Sequence, residues 1–403
     1  MLTRRNPTLN KRLRVLAVLV LVCVVCYYYR HSIYHWGYYR LGFLRHDVST
    51  LQLATEPEHI EEIELQRENA LSDGWITVDK TDLIPTKIIT NDKIIPAKYR
   101  LKGDYLEHVL SQKYSYRIQA ADTIFGIPKF SLHHPIRRNN VSEFLWQFAC
   151  SEEGLIRLDY DIIRLKVNEQ DLGLYAVEEH FGTNFCSRRN LSGFVLRFEE
   201  KEFWEQKKSE TPKTARQSFE TSPIDSYNTG MIRKDSILWK EHEVIVAKLY
   251  LWRAGVIPTS SIFDPTKLAN YFALSDLCSG HHAIVWHNMR FYYRPETGLL
   301  EPIAYDGDLY NTIQEPLHAS AQQTDCWNFS CKCLSDPIFE QAYINELKRI
   351  SGTDYYSQLL NKFEADKLKY ENILRWEFPR YSFDDQFLRE NSKTIITYLE
   401  KLQ

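Results

Sequence analysis

The sequence lacks an excess of charge of either sign, since 50 basic residues stand against 53 acidic ones and the net charge is −3. Without a strong overall field, we expect no nucleic-acid partner. Internal repeats and low-complexity tracts are also missing, which excludes a repeat protein and a low-complexity chain. A hydrophobic content of 44% with 13% aromatic residues is ample for a buried core, and 403 residues can form one large domain or two smaller ones.

Charged residues are missing from one stretch near the N-terminus, residues 15–29, which read VLAVLVLVCVVCYYY. Residues 13–29 reach the lower length limit of a bilayer-spanning helix, roughly 17 residues. The small-residue cleavage site of a signal peptide is not found. We therefore predict one N-terminal transmembrane helix that serves as an uncleaved signal anchor, with a cleaved signal peptide and a buried helix as the alternatives.

The residues that flank this stretch also predict an orientation. Arg and Lys are more frequent before residue 15 than directly after residue 29, and positive residues are retained on the cytoplasmic side of a membrane. The N-terminus is therefore expected in the cytoplasm and the C-terminal domain outside it, as in a single-pass protein of the cell membrane.

A second CxxC-like pair is missing as well, so the cysteines indicate a zinc site only weakly. Six cysteines lie beyond residue 29, and a non-cytosolic compartment would permit disulfides between them. We expect buried free thiols at Cys150 and Cys278. The group formed by Cys326, Cys331 and Cys333 is open to two interpretations, a disulfide or a metal site.

Changes of pattern along the chain divide it into segments. Short runs that alternate polar and apolar residues, such as KYSYRIQA at 113–120, predict a largely antiparallel sheet. Helical patterns dominate from residue 236 onward. The predicted segments are a basic tail at 1–12, the membrane anchor at 13–29, a juxtamembrane stalk at 30–75, a β-rich part at 76–200, a polar linker or insertion at 201–240 and a helical part at 241–403.

The residues best suited to chemistry surround one predicted strand, LLEPIA. Asp306 and Asp308 follow it, so two carboxylates emerge where the strand ends, and Asn288 lies in the segment before it. Carboxylate and amide oxygens are hard ligands that suit Mg²⁺ or Mn²⁺ with bound phosphates. These side chains therefore predict a site for a divalent cation and a phosphate ligand.

Two other interpretations of the same segment remain open. Asp306-Gly307 is a common hairpin pair, so it is also compatible with a simple turn between strands. A metal hydrolase of the His/Asp type needs at least three ligands and an open position, and His281, His282 and Asp306 would supply the ligands.

Several separated blocks of the sequence together resemble one family, the CotH-like kinases, which are atypical members of the protein-kinase-like fold. The resemblance covers residues 94–200 and 266–310, and its blocks occur in the expected order. The blocks are RLKGDYLEHV at 100–109, KYSYRI at 113–118, KFSLHHPIRR at 129–138, VNEQDLGLYAVEEHF at 167–181, and WHNMRFYYRP and LEPIAYDGD between 286 and 308.

The resemblance implies an α+β, bilobal, protein-kinase-like fold, with a β-rich N-lobe at 76–200, a helical C-lobe at 241–403 and a nucleotide between the lobes. It also implies roles for individual residues. By position, Arg117 contacts the phosphates, and Lys102-Gly103 forms the glycine-containing turn beside them. Glu179 ends the N-lobe hairpin, near the basic residue or the hinge. Asn288 and Asp306 bind the metal, and Asp308 is a second acidic neighbour.

The acceptor base departs from the family pattern. Many CotH-like sequences have an aspartate shortly before the asparagine block, whereas this chain reads His281-His282-Ala283. Histidine accepts a proton near neutral pH, so His282 is the predicted base, and Asp276 on the preceding helix is the alternative. The residue at the phosphates is Arg rather than Lys, which keeps the charge and permits bidentate contact.

The sequence therefore predicts a membrane-anchored CotH-like kinase that binds ATP or another nucleotide with Mg²⁺ or Mn²⁺. It would transfer phosphoryl outside the cytoplasm to a protein or glycan-linked hydroxyl, with His282 and Asp306 as catalytic residues. Such a transfer depends mainly on positioning and charge neutralisation. The alternatives are an AMP transferase, a non-catalytic pseudokinase that scaffolds an envelope or coat assembly, and the metal hydrolase.

Overall fold

The chain divides into two compact units, of which one comprises residues 49–368 and 383–403 and the other comprises residues 1–48 and 369–382. The larger unit holds all strands named below and the candidate site. In the smaller unit, helix α1 covers Pro7–Tyr28. The computed structural model describes residues 7–29, 37, 48–78, 80–90, 93–206, 213–307, 309, 312–323 and 325–402.

The strands and helices of the chain follow the predicted change from a β-rich to a helix-rich part. The strands are β1 Thr50–Ala54, β2 Ile84–Ile89, β3 Ile94–Leu101, β4 Tyr116–Ile124, β5 Ile127–His133, β6 Ile156–Arg157, β7 Tyr160–Val167, β8 Gln170–Glu179, β9 Phe194–Phe198, β10 Ile224–Ser226, β11 Arg290–Arg294 and β12 Leu299–Ala304. The helices after α1 are α2 Pro57–Asp73, α3 Val141–Glu152, α4 Lys201–Gln206, α5 Ala215–Thr221, α6 Thr229–Ile232, α7 Ser236–Arg253, α8 Pro265–Leu277, α9 Leu317–Ala321, α10 Phe329–Leu334, α11 Pro337–Ile350, α12 Thr353–Leu374 and α13 Gln386–Lys401.

Seven strands form a closed barrel in the order β1-β2-β3-β4-β5-β8-β7. Neighbouring strands are antiparallel except for β1 and β7, which run parallel and close the barrel, with Leu51 opposite Leu165. Along β3, buried residues alternate with exposed or half-buried ones. Because successive side chains of a strand point to opposite faces, this alternation places one apolar set inside the barrel.

A second sheet has the order β10-β9-β11-β12-β6, in which β12 pairs with β6 in parallel and with β11 antiparallel. Helix α8 contacts β12 and packs extensively on α11. The start of α8 is well determined, because Asp264 accepts hydrogen bonds from the backbone N–H groups of Thr266 and Lys267, and Pro265 occupies the first helical position.

The predicted bilobal protein-kinase-like fold is wrong. The β-rich part closes into a seven-stranded barrel, and the part predicted as a helical C-lobe contributes β11 and β12 to a second sheet. Barrel closure depends on pairing between Thr50 and Arg164, which lie far apart in the chain. Strand periodicity is a local signal and carries no information about such a distant partner.

Two segment boundaries also differ in detail. Strand β1 and helix α2 belong to the barrel region, although residues 30–75 were assigned to a stalk. Strand β10 pairs with β9 inside the range 201–240 that was assigned to a linker. Residues 1–6, 30–36, 38–47 and 207–212 lie outside the described residues.

The prediction of a membrane-spanning helix at 13–29 is contradicted. Among the residues that the structure describes, no helix is both long enough and apolar enough to cross a membrane. The predicted cellular location and orientation are not tested by this observation and stay predictions.

The cysteines adopt both states that their spacing allowed. Cys326 and Cys331 form a disulfide, which is one of the two interpretations of that group. Cys150 and Cys278 are buried free thiols, as expected from the sequence. Burial raises the pKa of Cys278 to about 12, so this thiol is not a reactive thiolate at neutral pH.

Candidate active site

A polar cleft lies where the barrel and the second sheet meet, and its cavity has a volume of about 380 Å³. Strands β3, β4, β5 and β8 line it from the barrel, and β9, β10 and β11 line it from the sheet. Its wall carries charges of both signs. The basic residues are Arg100, Lys102, Arg117, Lys129, Arg197 and Arg290, and the acidic residues are Asp104, Glu178, Glu179, Glu200 and Asp225.

The sheet side of the cleft carries ion pairs between its own residues. Arg290 Nη2 lies 3.3 Å from Glu200 Oε1, and Arg197 Nη2 lies 3.0 Å from Asp225 Oδ2. Arg290 also donates a hydrogen bond of 2.9 Å to the hydroxyl of Tyr227. These cations are therefore compensated within the protein.

Arg117 on the barrel side is not compensated in this way. It lies on β4 opposite Ser131, and only 7% of the residue is exposed. Its Nη1 has no hydrogen-bond partner among the described residues. Burial lowers the pKa of Arg117 to about 10, and the nearby Arg100 contributes to the decrease. A buried donor without a partner costs about 1–3 kcal/mol, more when it is charged, so this side chain favours an anionic ligand.

Lys102 and Gly103 form the turn at the end of β3, next to Arg117 in the same cavity. The backbone N–H of Lys102 donates to the carbonyl of Ser115 at 2.8 Å, which fixes the turn against the barrel. Gly103 has a φ of +117°, and an added Cβ would lie 2.1 Å from Cδ2 of His108. Only glycine fits here. Burial lowers the pKa of Lys102, and the neighbouring Arg117 and Arg138 also disfavour its charged form.

A buried chain of charges connects the barrel to the end of β12. Arg138 Nε lies 3.0 Å from Glu178 Oε2, without the alignment of a hydrogen bond. Arg138 Nη1 donates to Asp306 Oδ1 at 2.8 Å. Tyr160 donates to Glu178 Oε2 at 2.8 Å. Burial alone would raise the pKa of Glu178, but Arg138 and the nearby His133, whose Nε2 lies 3.8 Å from Glu178 Oε1, hold it well below the usual range.

Asp306 lies at the exposed end of this chain. Its φ is +51°, a left-handed conformation that Asp tolerates better than most residues. Burial favours the neutral acid, yet Arg138 and His282 lower the pKa of Asp306, so it is a carboxylate. In the described part of the chain, no strand follows β12. The hairpin alternative for Asp306-Gly307 is therefore wrong.

The remaining predicted residues are distributed around Asp306. Nε2 of His282 lies 3.7 Å from Asp306 Oδ2, and the His282 side chain is 40% exposed. The amide of Asn288 donates to the carbonyl of His282 at 3.0 Å. His281 instead contacts the buried Asp276 at 2.7 Å. Asp308 lies outside the described residues.

Glu179 lines the cleft but has a structural set of partners. Its Oε1 accepts hydrogen bonds from Arg188 at 2.8 Å and from Arg189 at 3.0 Å. Its Oε2 accepts from the backbone N–H of Asp159 at 3.0 Å. The Glu179 carboxylate thus connects the end of β8 to Asp159 and to the Arg188-Arg189 segment. It does not pair with Arg117.

The described side chains around Asp306 do not by themselves form a metal-ligand group. Asp306 is neutralised by Arg138, and Asp308, the other predicted carboxylate, lies outside the described residues. Across the residues that the structure describes, no three His, Cys, Asp or Glu side chains converge as a ligand group. The predicted Mg²⁺ or Mn²⁺ stays a prediction.

Sequence reasoning missed the central cation of the site. Arg138 and His133 were not among the predicted site residues, yet Arg138 is 8% exposed and His133 is fully buried. His133 ends β5 and faces Ser115 at 3.1 Å. The one available signal was position, because both residues lie in the conspicuous block KFSLHHPIRR.

Comparison with known proteins identifies no match for this chain. No model of a known protein family matches the chain, and no curated protein matches it in sequence. The resemblance to CotH-like kinases therefore depends on the sequence blocks alone and stays a prediction.

Proposed function

We propose that the cleft binds the phosphates of a nucleotide and that the protein transfers a phosphoryl group from it to a hydroxyl of a protein or glycan. One observation carries the proposal: the buried guanidinium of Arg117 lines a cavity of about 380 Å³ and leaves Nη1 without a partner among the described residues. Phosphate oxygens are the anionic acceptors that match the planar, multi-donor guanidinium.

Lys102 supports this proposal as a second cation in the same cavity. Its ammonium forms no ion pair with another described side chain. Because Gly103 has no side chain, the backbone of this turn can approach a phosphate closely. Phosphoryl transfer is mostly positioning and compensation of charge on the phosphate oxygens. A guanidinium and an ammonium in a site of low dielectric provide that compensation without reorganisation.

A second candidate function is a nucleotide-binding protein that does not catalyse transfer. The specific observation in its favour is the engagement of Asp306, because Arg138 occupies the carboxylate that was predicted to bind the metal. Binding through Arg117 and Lys102 would persist in such a protein, and turnover would be absent.

The test is a thermal-shift titration of the whole chain with ATP and with GTP, each with and without Mg²⁺ or Mn²⁺. Ligand binding to the native state raises the apparent stability by about 2.7 kcal/mol at a ligand concentration of 100 Kd. Arg117→Met is expected to weaken nucleotide binding about 10- to 100-fold, because a hydrogen bond to a charged group contributes about 1.5–3 kcal/mol.

Arg164→Met is the matched control, since Arg164 is a barrel arginine that pairs with Asp171 and lies outside the cavity lining. If neither nucleotide stabilises the protein, or if both variants bind as the parent does, the phosphate assignment of the cleft is wrong. ATP labelled at the γ-phosphate or the α-phosphate then separates phosphoryl transfer from AMP transfer. Binding without either transfer supports the non-catalytic candidate.

A further inference from the structure

Asp104 differs from the other acidic residues of the cleft. Glu178, Glu179, Glu200 and Asp225 each lie within 4.0 Å of an arginine. In the part of the chain that the structure describes, the carboxylate of Asp104 has no hydrogen bond and no ion pair, although Asp104 lines the cavity. It is thus available to a ligand.

The groups that face Asp104 come from both sides of the cleft. Lys102 and Arg100 on the barrel side, and Glu200 and Asp306 on the sheet side, interact electrostatically with its carboxylate. Burial raises the pKa of Asp104, the two acidic neighbours add to the increase, and Lys102 opposes it. A carboxyl group whose pKa lies nearer to neutrality is a better proton acceptor at physiological pH.

The cavity contains Asp104 but not the base that the sequence predicted. His282 is not among the described residues that line it, and its side chain is 40% exposed beside Asp306. Asp104 directly follows the Lys102-Gly103 turn and shares the cavity with the unpartnered Arg117. A phosphate held by the two cations would therefore share the cavity with Asp104, whereas His282 does not belong to the described lining.

We propose that Asp104 is a catalytic residue, the general base that accepts the proton of the acceptor hydroxyl. This inference rests on the proposed phosphoryl transfer. The acceptor oxygen forms a bond to the terminal phosphorus of the nucleotide, and the bond from that phosphorus to the bridging oxygen breaks. The nucleoside diphosphate leaves with the electron pair, and the hydroxyl proton moves to the Asp104 carboxylate.

The experiment compares Asp104→Asn, Asp104→Glu and the matched control Asp122→Asn, an exposed aspartate at 3.9 Å from Lys93. Release of ADP from ATP is measured with water as the acceptor, and ATP binding is measured in parallel by thermal shift. Asp104→Asn is expected to lower turnover about 10²- to 10⁴-fold, the usual contribution of a general base. ATP binding is expected to be retained, because Arg117 and Lys102 are unchanged.

The pH profile separates a base from a structural residue. Turnover of the parent protein is expected to rise with pH as Asp104 loses its proton. Asp104→Glu keeps this rise at a shifted pH, Asp104→Asn loses it, and His282→Ala keeps it. Because the folded protein raises the pKa of Asp104, ionisation of this group opposes folding at neutral pH. Asp104→Asn should therefore unfold at the same or a higher urea concentration.

Three results would overturn the assignment. If Asp104→Asn turns over ATP as fast as the parent, Asp104 is not the base. If His282→Ala loses the pH dependence, that histidine is the base instead. ATP binding by the parent protein without ADP release shows that the cleft has no catalytic base at work. Failure of the parent to bind ATP is a different result, since it refutes the nucleotide proposal itself.

Discussion

Replacement of Arg138 by Met removes the cation that joins the barrel to the end of β12. Arg138 lies 3.0 Å from Glu178 and 2.8 Å from Asp306. The Glu178 side chain is 1% exposed and that of Asp306 is 16% exposed, so water cannot replace the lost partner at Glu178. Loss of one partner from a buried ion pair typically costs about 3–5 kcal/mol, and we expect a loss of stability in this range.

The measurement is urea unfolding at pH 7, followed by fluorescence. Arg138→Lys should recover part of the loss, because the charge is kept while the fork that reaches both carboxylates is not. Arg138→Met combined with Glu178→Gln should be more stable than Arg138→Met alone, because the unpaired buried charge is gone. A cost below about 1 kcal/mol for Arg138→Met, the value of a surface pair, would refute the reasoning.

The same variant has a defined pH dependence. The folded protein lowers the pKa of Glu178 and of Asp306 below their ordinary values of 4.5 and 3.8. Groups with lowered pKa contribute stability that is present above the ordinary pKa and is lost as the pH falls through the folded value. The difference between Arg138→Met and the parent should therefore shrink below pH 4. A difference that stays constant between pH 7 and pH 3 would contradict the ion-pair explanation.

Three further predictions follow from single positions. Gly103→Ala should destabilise the barrel and weaken ATP binding in thermal shift, because the new Cβ would lie 2.1 Å from His108 Cδ2. The control is Gly298→Ala, where an added Cβ has no atom within 4 Å. It should lower the stability less and leave ATP binding unchanged. Burial raises the pKa of Glu143 to about 8, so the ionisable carboxyl group lowers the stability of the protein as the pH rises above 4.5. Glu143→Gln should therefore stabilise the protein against urea at pH 9 and not at pH 4. The opposite order would contradict the burial effect. Asp306→Asn should lower transfer about 10²–10³-fold if the carboxylate takes part in catalysis, and equal turnover would assign it to structure alone.

The position of Arg117 was predictable because it depends on a local pattern. Polar and apolar residues alternate in KYSYRIQA, and in β4 the residues Arg117 and Gln119 line the cleft while Ile118 is fully buried. Side chains that are two apart on a strand share a face, whatever the rest of the fold is. The prediction of a polar face on this strand therefore held even though the predicted fold was wrong.

The roles of Arg138 and Asp104 could not be predicted in the same way. Arg138 lies in a short 3₁₀ turn at Pro135–Arg138, and its partners Glu178 and Asp306 are distant in sequence. Asp104 is distinguished by a carboxylate that the fold leaves without an ion pair among the described residues, and no single segment of the sequence shows this. Charged residues in loops are solvated in most proteins, so the sequence favoured the ordinary interpretation.

The sequence by itself determined the elements of this protein: strands with a period of two, helices with an Asp cap such as Asp264, and a turn that needs Gly103. These depend on contacts between residues close in the chain. Only the tertiary structure decided that β1 closes a barrel against β7, and that Arg117, Lys102 and Asp104 line one cavity. Strand register and the pairing of buried charges depend on contacts between distant segments, because a buried carboxylate can pair only with a cation that the fold brings within reach.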